Sequence, residues 1–146
     1  SEDFHKEDFP FYWLNQVHGR YSVAVEKALK KVNLDIPRWR ILFTLKEEGT
    51  CSVSQIAVHA IAKLPTVTKI IQRMKQDGLV DTRVRSDDGR VTEVMLTEKG
   101  INAVEDIRFI TKDLFKQSFK GMTEAKIKRL NKLLEELFHN LPEHYS

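Results

Sequence analysis

A short stretch of this chain carries residues whose types and spacing suit the binding of a polyanion. Lys63, Thr66, Thr68, Lys69 and Arg73 come first, and Arg83, Arg85, Asp88 and Arg90 follow. Thr66, Lys69 and Arg73 recur at three- and four-residue steps, so a helix places them on one face. The same spacing reads as setting them opposite Ile70 and Met74, with Thr68 beside them. A threonine hydroxyl binds a phosphate or a base edge, and an arginine grips guanine through two parallel hydrogen bonds. Residues 62–76 carry Lys63, Lys69, Arg73 and Lys75 and no acid. A solvated helix face needs no such imbalance.

Arg90 falls at the tip of Asp88-Gly89-Arg90, a position suited to a minor groove. Arg83 and Arg85 alternate onto one face of a strand and suit backbone phosphates. Read only as surface groups, these arginines would form salt bridges worth under about 1 kcal/mol each.

Other chemistries find less. The histidines His5, His18, His59, His139 and His144 offer no metal-ligand pair at one-turn spacing. Neither a Gly-rich phosphate loop nor a nucleophile elbow is present, so no catalytic residue, metal or cofactor is expected and the chain does not read as an enzyme. Cys51 is the single cysteine, which excludes an internal disulfide and a cysteine-cluster zinc site. It reads as a small, partly buried residue beside a helix start. A small-molecule pocket is the remaining candidate: Trp13, His18, Tyr21 and Trp39 can supply walls and polar anchors, and Arg38 or Arg40 can hold a carboxylate. The same aromatic residues at helical spacing also serve as ordinary core.

The elements that must position these groups follow from periodicity and caps. Leu14, Val17, Tyr21, Val25, Ala28 and Val32 mark one face of a long helix over residues 9–32, with Asp8 as its cap. Gly19 interrupts that helix, and a close approach of another helix would account for it. Asp35-Ile36-Pro37 opens a second helix that Gly49 ends. Ser52-Val53-Ser54-Gln55 has capping-box spacing and starts a short third helix with Ile56, Ala57 and Ala60 inward. A fourth begins near Lys63 or Leu64 and stops at Gly78. Leu79–Arg85 and Val91–Leu96 alternate with a two-residue period and are joined through Asp88-Gly89, which predicts a β-hairpin. Thr97 and Thr123 cap two further helices on either side of Gly121, the first carrying Val104, Ile107, Ile110 and Leu114, the second Ile127, Leu130, Leu134 and Leu137.

Size and composition agree with one compact unit. The chain has 146 residues, 41% of them hydrophobic and 31% charged, as in ordinary folded proteins. No apolar run approaches the roughly 20 residues that span a bilayer. The acidic start, Ser1 to Lys6, lacks an apolar signal core, and a cytoplasmic location is expected. The formal net charge of +3 is weak guidance by itself; its concentration at 62–76 is the informative part. The terminal helices are too apolar for a small core to cover, which predicts burial against one another and against a second copy of the chain.

Taken in order, the segments Ser52–Ala57, Thr66–Met74, Asp77–Val80, Arg83, Arg85, Asp88-Gly89-Arg90 and Val94–Gly100 resemble the MarR family of winged-helix transcriptional regulators. The match is detailed over residues 34–100; the flanking helices, 9–32 and 101–141, match in number, order and length. The resemblance implies a mainly α fold, a winged helix-turn-helix with a small β-hairpin wing flanked by N- and C-terminal dimerisation helices, making a single domain over 1–146. It further implies a homodimer that binds double-stranded DNA at a pseudo-palindromic operator, and a repressor relieved by a small aromatic or phenolic effector. It pairs Asp88 with Arg90, the carboxylate orienting the guanidinium. A winged-helix adaptor that binds protein rather than DNA is the alternative. Two departures stand out. Ala62-Lys63-Leu64-Pro65 occupies a place where the family often has an acidic or hydroxyl cap, and Cys51 lies far from the site of the peroxide-sensing cysteine.

Overall fold

The computed structural model describes residues 3–143. The chain divides between Thr111 and Lys112 into two compact units. The first contains almost all of the candidate chemistry.

A single tight turn, Lys6–Asp8, precedes helix α1, Pro10–Lys30. Pro10 suits the first turn, where an N–H would lack a partner. Asp8 is not the cap: Phe9 takes that position, with no side-chain hydrogen bond, because Asp8 belongs to the preceding turn. Trp13 ties that turn to the helix instead, its Nε1 donating to the Glu7 carbonyl at 2.8 Å. Only Val25 and Leu29 of α1 are fully buried, and Val17 stands exposed on the face read as apolar. A Cβ at Gly19 would meet nothing within 4 Å, so the close helix approach expected there is absent among the described residues.

Asp35 caps α2, Ile36–Glu48, by accepting from the Arg38 amide at 3.1 Å, and Ile36, Ile41, Leu42 and Leu45 enter the core. Strand β1 is only Cys51–Ser52, an element the alternation does not reveal. Helix α3, Val53–Ala60, begins with both bonds of the expected capping box, Gln55 N to Ser52 Oγ at 3.1 Å and Ser52 N to Gln55 Oε1 at 2.8 Å. Its inward residues are Ile56 and Ala60. The link to α4 passes through Ile61 in the left-handed region, φ 53°, and the Ala62 amide closes back on the Ala57 carbonyl. A β-branched residue there costs about 1–2 kcal/mol, which the packing of the two helices must offset.

Helix α4, Leu64–Gln76, buries Val67, Ile71 and Met74, and ends at Asp77 before Gly78. Strands β2, Val80–Val84, and β3, Thr92–Leu96, then pair antiparallel with Val80 opposite Leu96 and Arg83 opposite Glu93. The sheet order is β1-β3-β2, with Cys51 opposite Val94. Val80 and Val94 are fully buried, so the inner end of the sheet closes the core while its outer end projects as the wing.

Helix α5, Glu98–Ser118, is welded to the end of α4. Thr97 Oγ1 accepts from the Gly100 amide at 3.1 Å and donates to the Gly78 carbonyl at 2.5 Å. Lys99 Nζ donates to the Asp77 carbonyl at 2.7 Å. Gly100 itself lies against the Leu79 carbonyl so closely that a Cβ would overlap the oxygen. Val104 and Ile107 continue into the core, whereas Phe109 is 82% exposed.

In the second unit, Thr123 caps α6, Glu124–Asn140, by accepting from the Lys126 amide at 3.1 Å. No residue of α6 is buried, and Leu130, Leu133, Phe138 and the following Leu141 are exposed.

Candidate nucleic-acid interface

The exposed side of α4 presents Thr66, Lys69, Gln72 and Arg73. Successive residues turn by about 100° around a helix axis, which places Ile70 only about 40° from Thr66 and about 60° from Arg73. Ile70 therefore flanks this face; the side opposite belongs to Val67, Ile71 and Met74. With Asp35, Pro37, Arg38, Lys69 and Arg73, Ile70 lines a small cleft. Arg73 is 72% exposed, its Nε 3.8 Å from Asp77 Oδ2.

Thr68 lies on the other rim of the helix. Its hydroxyl donates to the Leu64 carbonyl at 2.9 Å, leaving oxygen lone pairs to accept. Together with Gln72 and Lys75 it faces a groove of about 670 Å³ between α4, the start of α3 and the wing. Lys75, which the site reading left out, donates from Nζ to Thr82 Oγ1 at 2.8 Å and thereby ties helix to strand. Lys63 takes the N-cap position of α4 and makes no side-chain cap hydrogen bond, and the first turn carries no acid. The positive end of the helix thus meets no acid from its own first turn.

Each wing arginine has an acidic partner. Asp88 accepts at Oδ1 from both the amide and Nε of Arg90, each at 3.1 Å, while Arg90 Nη2 lies 3.4 Å from Oδ2. The turn itself closes by the Val91 amide on the Asp88 carbonyl, and Gly89 is not among the left-handed glycines. The side-chain bond of Asp88 to the residue two places on shapes the tip, as such bonds do in Asx turns. Arg90 remains 92% exposed beyond it. Arg85 meets Asp87 through two bonds, 2.9 Å and 2.6 Å. Hydrogen bonds from these guanidinium groups hold the Asp87 and Asp88 carboxyls below the usual range, so both are ionised at neutral pH.

Arg83 and Arg85 do not share a strand face. Strand β2 ends at Val84, so Arg85 lies in the loop and lines the groove with Arg90, whereas Arg83 pairs across the sheet with Glu93 at 3.2 Å. Replacing Arg90 by alanine is expected to weaken DNA binding with little change at any one base pair. It should also flatten the salt dependence by roughly one released counterion. Affinity across a salt series checks this, and wild-type affinity and slope in Arg90→Ala would remove the wing as a DNA contact. Asp88→Ala should show a milder form, since it frees the arginine without removing it.

The aromatic candidates separate. Tyr21 and Trp39 rings lie 6.2 Å apart, Trp39 and Phe43 5.8 Å apart, and Arg40 joins them in a shallow cleft of about 390 Å³ completed by Thr44, Glu47, Glu48 and His59. His18 approaches from the edge, 6.4 Å from the Tyr21 ring and 3.4 Å from Ser22 Oγ. Burial raises the Tyr21 hydroxyl, with Arg40 acting against it, so the phenol is neutral at physiological pH. Trp13 stands apart, packed on Tyr12 at 5.1 Å. Arg38 turns away from the cleft toward Asp35 at 3.1 Å and Asp77 at 3.6 Å. Phe43 went unread in the sequence although it follows Trp39 by four residues, one helical turn, and Arg108 of α5 lies over its ring at 5.8 Å.

Cys51 is buried, and its Sγ donates to the Gly49 carbonyl at 3.4 Å. Burial, with Glu48 adding to it, pushes the thiol up and keeps it protonated. Among the described residues, no group of three or more His, Cys, Asp or Glu is placed to hold a metal ion, and no helix is long and apolar enough to cross a membrane. His144 lies outside the described residues.

A family model described as MarR family matches residues 34–92. Over 141 residues the chain is 57% identical to the HTH-type transcriptional repressor IacR of Pseudomonas putida, covering 97% of this chain and 84% of that protein. The chain belongs to the MarR family. It is a winged-helix, DNA-binding transcriptional regulator, and its fold is that of solved members. A MarR family regulator from Silicibacter pomeroyi superposes with a TM-score of 0.87 at 20% identity, covering 100% of this chain and 99% of the other. NadR in complex with 4-hydroxyphenylacetate superposes with a TM-score of 0.77 at 27% identity, over 85% and 88% of the two chains.

Proposed function

We propose that this MarR family chain is a ligand-responsive repressor that binds a pseudo-palindromic operator as a homodimer in the cytoplasm, by binding alone and without a cofactor. The observation that carries this reading is the acid-free outer face of α4, with Lys69 and Arg73 exposed beside a groove that Arg85 and Arg90 border. In a duplex, α4 enters the major groove and Arg90 the adjacent minor groove, leaving the intervening phosphates to Lys63, Arg83, Arg85 and the hydroxyls of Thr66 and Thr68. A protein-binding adaptor would present an apolar or acidic surface there instead.

Footprinting on DNA flanking its own gene tests the reading. Two protected half-sites about one helical turn, roughly 10 base pairs, apart are expected. Protection of a single unsymmetrical half-site at saturation would count against it. The homodimer is supported by the exposed apolar residues of α6, which in a lone chain would face water. Sedimentation at micromolar concentration should return twice 17.0 kDa, and a clean monomer would remove both the dimer and the palindrome.

For the effector we infer an aromatic acid or phenol, the class to which the 4-hydroxyphenylacetate bound by NadR belongs. Tyr21, Trp39 and Phe43 supply apolar walls and Arg40 a partner for a carboxylate. Titration with such compounds should change Trp39 fluorescence and weaken operator binding together, because a ligand shifts an equilibrium only by its differential affinity for the two states. Silence of both signals at millimolar concentration would end the sensor reading and leave the DNA reading intact.

A further inference from the structure

The mechanism above leaves one acidic group unused at the end of the recognition helix. Asp77 follows Arg73 by four residues, and its Oδ2 lies 3.8 Å from Arg73 Nε and 3.6 Å from Arg38 Nη1. We propose that Asp77 is a specificity-determining positioning residue, which holds Arg73 through Nε, leaves its Nη atoms to read a base, and must be given up before the guanidinium can turn to a backbone phosphate. The proposal rests on the DNA-binding reading and adds to it how that surface rejects the wrong sequence.

The two ends of the pair differ in freedom. The Asp77 backbone is fixed: its amide donates to the Arg73 carbonyl at 3.0 Å, and its own carbonyl accepts from Lys99 Nζ at 2.7 Å. Its carboxylate is tethered from the other side by Arg38, which is only 20% exposed and is itself held by the Asp35 carboxylate at 3.1 Å. Arg73 is the loose member, largely in solvent and at the long limit of an ion pair. Residues 62–76 contain no acid, so Asp77 supplies the first negative charge that the arginine meets along α4.

This arrangement sets a threshold. On random DNA, Arg73 exchanges one exposed ion pair for one phosphate contact of similar strength and gains little. On an operator the two Nη atoms grip a base while Nε stays on the Asp77 carboxylate, so the pair is kept and the guanidinium is aimed by it. Asp77 thus subtracts from wrong sites, where a phosphate contact must break the pair, a quantity that the right site never loses. A repulsive element of this kind raises discrimination without adding an attractive contact.

The test is a cycle of variants measured on the footprinted operator and on a random-sequence duplex of equal length. Asp77→Asn keeps the shape and removes the charge. Binding to random DNA should tighten about three- to tenfold with a salt slope steeper by about one counterion, and operator affinity should change less than twofold. In an Arg73→Ala background the same substitution should leave random-DNA affinity unchanged. Asp77→Glu should retain the wild-type ratio of operator to random affinity, which a merely structural role for the carboxylate would not predict. Asp77→Ser provides a second charge-removing variant should Asp77→Asn melt early. An equal rise with and without Arg73 would reveal only long-range charge and overturn the proposal, as would no change in either background. Wild-type protein that failed to prefer the operator would remove the DNA reading itself, a result distinct from a flat cycle.

Discussion

Gly100→Ala is expected to destabilise the protein by about 3 kcal/mol, an overpacking cost at the upper end of the usual range. In a chain of 146 residues that corresponds to a fall of roughly 6–12 °C in melting temperature. Propensity alone predicts the opposite, since alanine inside a helix is favoured over glycine by about 0.5–1 kcal/mol. Sterics decide the matter. The missing Cβ lets the first turn of α5 lie against the Leu79 carbonyl, and the flanking bonds from Thr97 and Lys99 prevent the turn from backing away. Gly19→Ala is the matched control, because a Cβ there meets open space and the helix term should act unopposed. Thermal melts of both variants decide it. A Gly100→Ala protein that melts at or above wild type would refute the close contact at this joint.

The second large effect is on recognition. Arg73→Ala should lose about 1–3 kcal/mol on the operator, roughly five- to 150-fold in affinity, and relax preference at the base pair it reads. Binding to random duplex should change far less, because there the side chain contributes at most one phosphate contact. That pattern separates Arg73 from Arg90, whose loss is expected on every sequence. Competition assays with single-base operator variants would show it. Equal losses on operator and random DNA would demote Arg73 to a general cation.

Much of this arrangement was legible because short-range chemistry decides it. Ser52 with Gln55 fixed the start of α3, Thr97 the start of α5 and Thr123 that of α6, each by a bond spanning three residues. The alternation around Asp88-Gly89 placed both wing strands to within a residue. The failures involve longer-range partners. Strand β1 is two residues long, too short for any period, and exists only because β3 offers an edge to Cys51 and Ser52. Asp8 lost the cap of α1 to a preceding turn that no propensity marks. Ile61 sits at a positive φ that its β-branched side chain argues against, and the packing of α3 on α4 overrules that preference.

In the candidate site, the basic face of α4 came from helical spacing and the local absence of acids, but the assignment of Arg38 to a ligand pocket did not survive. Its capping partner Asp35 and the distant Asp77 draw it to the other side of α2. Trp13 and Tyr21 share a helix yet lie more than two turns apart along it, so spacing could not say whether they share a cleft. Arg83 and Arg85 were separated by the strand's end at Val84, which a simple alternation cannot locate.

The burial of Cys51 gives the molecule an internal clock. Its thiol sits under the pairing of β1 with β3, and that same β3 forms one strand of the wing. An alkylating reagent can reach the sulfur only in moments when this edge opens, so the labelling rate is the rate of a free thiol scaled by the population of the opened state. As the sole cysteine it needs no engineering and reports without background. Because operator DNA would hold the outer end of the same sheet, the tempo of that chemistry measures how firmly a bound duplex quiets breathing at the sheet's inner edge.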